Sequence, residues 1–223
     1  MDYSPVLISL KTASLSIVFT FLLGILCARI LYRHKGSKLT LIIDSILTLP
    51  IVLPPTVAGF FLLIVFGVNR PLGRFLLEFF GVKIVFNWSA TVIAAVAISF
   101  PLMYRSCLAA FKQVDSNLIY AARTLGMSER EIFWKVLMPN AKPGIISGAV
   151  LSFARGIGEF GATMMIAGNI AGKTRTLPVA VYSATAGGDM KSANKYVLIL
   201  VAISFIVVGL MNYLSYKQER KKL

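Results

Sequence analysis

The sequence predicts an all-α polytopic membrane fold, and three observations carry that expectation. Of its 223 residues, 57% are hydrophobic and only 14% charged, whereas soluble domains carry about 25% charged residues. Apolar runs of about 20 residues, the length a helix needs to cross a bilayer, recur along the chain. Basic residues cluster between those runs, with 23 Lys and Arg against nine acids and a net charge of +14. In a membrane protein this excess suits anionic lipid head groups and one-sided loops, so it is not read as a nucleic-acid footprint. Residues 1–223 form a single membrane domain, because too little polar sequence remains for a separate catalytic one.

Five spans are predicted. The first runs from Thr12 to Tyr32, with Arg29 near its end and able to snorkel. The second, about 45–68, contains LPIVLPPTVAG, where Pro50, Pro54 and Pro55 remove backbone donors and predict a kink, with Thr56 offering a hydroxyl. The third covers about 88–111. The fourth, about 143–166, holds Arg155 and Glu159, four apart and hence on one helix face. Intramembrane charges face a cavity, the protein interior or each other. This pair either lines a path for an oxyanion or braces the bundle, and Glu159 is the more structural of the two, since a carboxylate repels an anion. Gly156, Gly158 and Gly161 read as close-packing positions. The fifth span, about 196–216, carries no charge.

Fourteen basic residues fall on the side that holds the connections after spans one, three and five, among them Lys35, Lys217, Arg220, Lys221 and Lys222, against eight on the other side. By the positive-inside rule the N-terminus is outside and the C-terminus cytoplasmic. No cleavable signal is apparent. The polar connection at about 115–139 therefore faces the cytoplasm. Asp115 or Ser116 can cap a first short helix, Gly126 can end it in a left-handed residue, and Ser128 with Glu131 forms a capping box for a second. Pro139 is expected to stop that second helix. The pair reads either as a docking element or as an amphipathic helix on the bilayer surface.

Several chemistries find no candidates. Cys27 and Cys107 match no metal spacing and read as small buried hydrophobes. His34, the only histidine, reads as solvated. AGNIAGKT (167–174) has a relaxed phosphate-loop spacing, but that chemistry needs a strand before the loop and a helix after it. It is read instead as an external loop. No catalytic residues, metal ligands or cofactors are assigned.

YAARTLGMSEREIFWKVLMP resembles the EAA loop of binding-protein-dependent ABC import permeases. Ala121, Ala122, Gly126 and Pro139 keep that motif's spacing, while its glutamate is replaced by Tyr120. LPIVLPPTVAGFFLLIVFG and FARGIGEFGATMMIAGNIAGKTRTLPVAVY resemble the molybdate branch of the family, near the sulfate and tungstate permeases. The resemblance implies a homodimer, two copies of a cytoplasmic ATP-binding subunit docked on Ala121, Ala122, Gly126 and Pro139, and an external substrate-binding protein. Pro54, Pro55, Thr56, Arg155 and Glu159 are the expected translocation-path residues. The rivals are a tungstate or sulfate permease, an ion-coupled secondary transporter and a scaffold without transport. Intramembrane acids on several helices and an internal repeat, which would favour the secondary transporter, are not seen.

Overall fold

The computed structural model describes residues 2–34 and 36–219, and among them the regular elements are all helical. In chain order they are α1 (Ser4–Arg33), α2 (Lys38–Val52), α3 (Pro55–Phe66), α4 (Pro71–Phe80), α5 (Trp88–Gln113), α6 (Ser116–Thr124), α7 (Glu129–Ile132), α8 (Met138–Ile157), α9 (Gly161–Ile166), α10 (Leu177–Ala186) and α11 (Met190–Glu219). Helices α1, α5 and α11 over Met190–Met211 are long and apolar enough to cross a membrane, and α2 with α3 qualifies as one span bent by 117°. The expected all-α membrane fold is thus observed. The region expected as a fourth span is divided between α8 and α9. Lys35, Arg220, Lys221 and Lys222, counted above for orientation, lie outside the described residues.

Helix α5 is the axle of the bundle. Ala90, Ala94, Ala95 and Ala110, with Ile98, Tyr104, Cys107 and Phe111, are buried, and five helices, α1, α2, α3, α8 and α9, pack on it. Helix α1 lies beside it in parallel, which the hydrogen bonds show directly. The Thr12 and Thr91 hydroxyls meet at 2.8 Å and those of Thr20 and Ser99 at 3.1 Å, with the same sequence offset of 79. The face of α1 that makes this contact is small and polar: Ser9, Thr12, Ser16, Thr20, Gly24 and Ala28 recur every three or four residues and are buried. Lipid is as apolar as leucine, so helices in a membrane associate through close backbone approach and interhelical hydrogen bonds rather than through apolar area.

Helix α8 runs antiparallel to α5, since Gly148 abuts Ser106 while the earlier Gly144 abuts the later Ala110. Tyr196 at the start of α11 donates its hydroxyl to the Asp2 carbonyl at 3.1 Å, so α11 begins beside the chain's N-terminus. The ends of α1 and α5 lie at the opposite pole, where Leu31, Tyr104, Leu108 and Phe111 join residues of α6 to α8 in the largest buried cluster. The bundle therefore has two chemically distinct ends.

Two features escaped the sequence reading. Asp44, just ahead of the expected second span, accepts a 2.6 Å hydrogen bond from the Tyr104 hydroxyl and an ion pair from Arg105 at 3.2 Å. That tie holds α2, which has no buried residue of its own, against α5. A lone acid at the edge of an apolar run was the available signal. Helix α4 is the other, opened by Pro71 and closed by left-handed Gly81, a start and stop pair that was legible.

Close packing at Gly148 is testable. A Cβ there collides with Ser106, whereas one at Gly209 in α11 meets nothing within 4 Å. Gly148→Ala is expected to destabilise the chain by about 1–3 kcal/mol through overpacking, and Gly209→Ala to be neutral or slightly stabilising. Thermal unfolding in detergent compares them.

Candidate functional site

The polar segment folds as an elbow. Asp115 caps α6 by accepting from the Asn117 N–H at 2.9 Å. The helix ends on Gly126 at φ +76°, with Gly126 N–H bonded to Arg123 O and Met127 N–H to Ala122 O, a Schellman closure. Only glycine takes that backbone conformation without strain. Ser128 and Glu131 then form the expected capping box at the start of α7. Arg123 grips Glu129 across the corner at 2.7 and 3.3 Å, and Lys135 pairs with Glu131 at 3.0 Å. These bonds cross-brace the corner, so it behaves as a rigid angle.

Its two faces differ. Ile119, Ala122, Ile132, Phe133 and Leu137 are buried against α1 and α5, and the Arg29 guanidinium lies 4.1 Å from the centre of the Phe133 ring. Leu118, Tyr120, Ala121, Trp134 and Leu125, the last 81% exposed, are open at the surface. Of the two alanines of the motif, then, Ala122 serves the fold and Ala121 the open surface. The Arg123 hydrogen bond holds the Glu129 carboxyl below the usual carboxylate range. Bonds from Lys135 and Ser128 hold Glu131 down at about 2.

Pro139 does not stop the helix, contrary to expectation. It is the second residue of α8, with helical backbone on both sides, and it has no N–H to give the turn before it. The preceding residues, Phe133–Leu137, widen into a π-helical turn, with Met138 N–H bonded five residues back to Phe133 O. That extra residue per turn absorbs the lost hydrogen bond and the ring's bulk. Residues 129–157 are consequently one unbroken helical rod of roughly 40 Å at 1.5 Å per residue. The elbow is the near end of α8.

At the far end of that rod the helix breaks. Gly158 and Phe160 leave helical geometry, and Glu159 between them is 2% exposed. Its carboxylate takes an ion pair from Arg155 at 2.8 Å with one oxygen and the Ala162 N–H at 2.8 Å with the other. It thus fastens the end of α8 to the start of α9. The bent span of α2 and α3 meets the break between α8 and α9 here. Leu53 and Pro54 are extended, as residues preceding proline must be, and Pro55 starts α3. A Cβ on Gly161 would lie 3.0 Å from Pro55 Cβ and 3.1 Å from Thr56 N, and one on Gly59 would lie 2.7 Å from Ala162 Cα.

The crossing thus brings Pro55 and Thr56 to within a few residues of Glu159, as none of their sequence spacing requires. Thr56 and Pro54 are exposed, and the Arg155 side chain is one-third exposed. Glu159 is sealed inside this crossing. The break in the second span belongs to Pro54 and Pro55 alone, because Pro50 sits within α2. Gly158 has only an ordinary contact, so the close-packing role expected of it falls to Gly156 and Gly161.

The remaining candidates are placed as follows. Residues 167–174 follow a short helix, not a strand, and the N–H groups of Lys173, Thr174 and Arg175 all turn onto Ile170 O. Donors committed in that way cannot cradle a phosphate. His34 is exposed, its Nδ1 2.9 Å from Ile30 O. Cys107 is buried and Cys27 half-buried, both unpaired.

An all-helical membrane bundle with two interrupted helices meeting inside it and a braced polar elbow at one end is the architecture of a transport permease. The chain belongs to the family described as "Binding-protein-dependent transport system inner membrane component", whose model matches residues 20–220. It is a multi-pass inner-membrane permease of the ABC transporter class. It is 41% identical over 214 residues to the molybdenum transport system permease protein ModB of Escherichia coli K12, covering 94% of this chain and 91% of that one. It is 37% identical over 206 residues to the putative molybdenum transport system permease protein YvgM of Bacillus subtilis, covering 92% and 90%. Among solved structures, a chain of the inward-facing MetNI methionine ABC transporter superposes with a TM-score of 0.76 at 20% identity, covering 96% and 94%. A chain of a bacterial ABC transporter importing alginate also gives 0.76, at 14% identity, covering 96% and 78%.

Two outcomes follow from this geometry. In a double-mutant cycle of Arg155→Met and Glu159→Gln, thermal unfolding is expected to show a coupling of about 1–3 kcal/mol, because the two side chains touch. Glu131 titrates below the ordinary value of 4.5, so its contribution to the elbow is full above that pH and is lost as the pH falls toward about 2. A carboxyl-carbon NMR titration of the chain in micelles is expected to place its midpoint near 2.

Proposed function

We propose that this chain is the membrane-spanning subunit of an ATP-driven importer that moves molybdate delivered by an external binding protein. The observation that carries the substrate is the 41% identity to the E. coli molybdenum permease along nearly the whole of both chains. The chain itself hydrolyses nothing in this reading. ATP is consumed by a cytoplasmic ATP-binding subunit, two copies of which serve a permease homodimer with one pathway between protomers.

The elbow is the docking element. Its exposed Leu118, Ala121, Leu125 and Trp134 suit a groove on the ATP-binding subunit in the helix-in-groove manner. Gly126 sets the angle at which that face is presented. Closure of the two ATP-binding subunits pushes the elbows, and the rod of residues 129–157 carries that displacement to the crossing of α9 with α3. Packed interfaces have discrete arrangements, so a small push can move the crossing from one to another. The elbow is cytoplasmic, the N-terminus outside and the C-terminus inside.

The interior crossing is the translocation path. The first turn of α3 takes no side-chain cap, and an uncapped helix N-terminus favours an anion. Thr56 adds a hydroxyl beside it and Arg155 a partly exposed cation. Glu159 keeps Arg155 in place without facing the anion. Tungstate and sulfate share the shape and charge of molybdate, so the binding protein supplies most of the discrimination.

Uptake of labelled molybdate by a strain lacking its own permease, with the chain and its ATP-binding partner co-expressed, tests this reading. Tungstate is expected to compete more strongly than sulfate. Uptake by the chain alone on an ion gradient would refute it. Gly126→Trp, strained at positive φ and bulky at the corner, is expected to abolish co-purification of the ATP-binding subunit and uptake together while leaving membrane insertion intact. Unchanged co-purification removes the docking role.

A further inference from the structure

Between the last turns of α1 and the inner side of the elbow lies a cavity of about 280 Å³. Arg29, Tyr32 and Arg33 line it from α1, Tyr120 and Arg123 from α6, and Glu129 from α7. Glu129 is committed to Arg123 at 2.7 Å. Among the described residues neither Arg29 nor Arg33 is ion-paired, and Arg29 rests on the Phe133 ring. The pocket therefore holds two cations in excess, both on one helix and four residues apart.

What lies above them on α1 identifies the anion. Leu15, Val18 or Phe19, Leu22 and Leu26 are exposed and follow one another at steps of three or four. That spacing lays them along one face of a helix apolar enough to cross the membrane. The next steps along the same face are Arg29 and then Arg33. An apolar stripe that ends in two unpaired arginines has the shape of a lipid: acyl chain beside the leucines, phosphate at the guanidinium groups. Tyr32 and Tyr120 sit at the same level, the usual place for tyrosine at a membrane boundary.

We infer that this pocket binds the phosphate of an anionic glycerophospholipid from the leaflet on the elbow's side. The bound head group bridges α1 to α6, gluing the elbow's inner wall to the end of a crossing helix. The assignment holds whichever solute the bundle carries and whichever face of the membrane the elbow occupies. A free phosphate offers the guanidinium groups the same chemistry but leaves the leucine stripe without a role.

Native mass spectrometry of the full chain, released from a neutral detergent with phosphatidylglycerol or phosphatidylcholine, tests the assignment. Phosphatidylglycerol is expected to be retained in preference to phosphatidylcholine, and millimolar inorganic phosphate not to displace it. Arg29→Gln with Arg33→Gln is expected to weaken retention by about 30-fold, and Arg33→Gln alone by about fivefold. Arg33 is exposed, so the single variant reads binding even if the double variant is poorly folded. Equal retention by Arg33→Gln and the parent overturns the lipid site. Displacement by inorganic phosphate alone overturns it in favour of a free-anion site. Loss of a co-purifying soluble protein from Arg33→Gln, with lipid retention unchanged, overturns it by assigning the arginines to a protein contact.

Discussion

A carboxylate buried in a helical bundle has no water to turn to, so its own chain must hold it, and Glu159 is held by two different helices at once. Arg155 at the end of α8 supplies the charge, and the Ala162 N–H at the start of α9 supplies a hydrogen bond. Remove either and a charge or a donor is left in a low-dielectric interior, where each is costly. The break between α8 and α9 is therefore held at a set place and angle. Everything that depends on α9 inherits that placement, including its close crossing with α3 at Gly59 and Gly161.

The other end of the same rod obeys a different rule. Pro139 could have ended the helix, and the π-helical turn before it instead lets the backbone run on from the elbow into α8. Stiffness is then continuous from a solvent-facing corner, braced by Arg123 with Glu129 and Glu131 with Lys135, to a buried crossing. The long contact of α8 with α5, made through glycine and small side chains, keeps the rod aligned over its length. A loop in place of the elbow would absorb displacement; a capped, ion-paired corner passes it on.

Packing through small residues also explains the distribution of large ones. Helix α5 carries the buried volume, with Tyr104, Phe111 and Met103 sealed, while α11 over Met190–Met211 is mostly exposed within the single chain. Hydroxyl pairs such as Thr12 with Thr91 specify the register of α1 on α5, and the apolar faces turned outward are left to lipid or to another chain. Helix α2 shows how little can be needed for attachment: it has no buried residue and is held at Asp44.

By itself the sequence determined the helical class, the approximate run of crossing segments, both helix caps of the elbow and the left-handed corner at Gly126. All of these follow from local rules, namely apolar length, capping chemistry and the conformational freedom of glycine, that act over a few neighbouring residues. It also marked Pro54, Pro55, Arg155 and Glu159 as unusual for a membrane helix. Only the tertiary structure decided that Pro50 stays in a helix while Pro54 and Pro55 break one, and that Pro139 is carried through by a π-helical turn. It alone placed Thr56 against Gly161 and paired Asp44 with Tyr104. The physical reason is common to these cases. A proline or a carboxylate only removes a partner or demands one, and what takes up that demand is a group on another helix or in another turn, which spacing along the chain does not reveal.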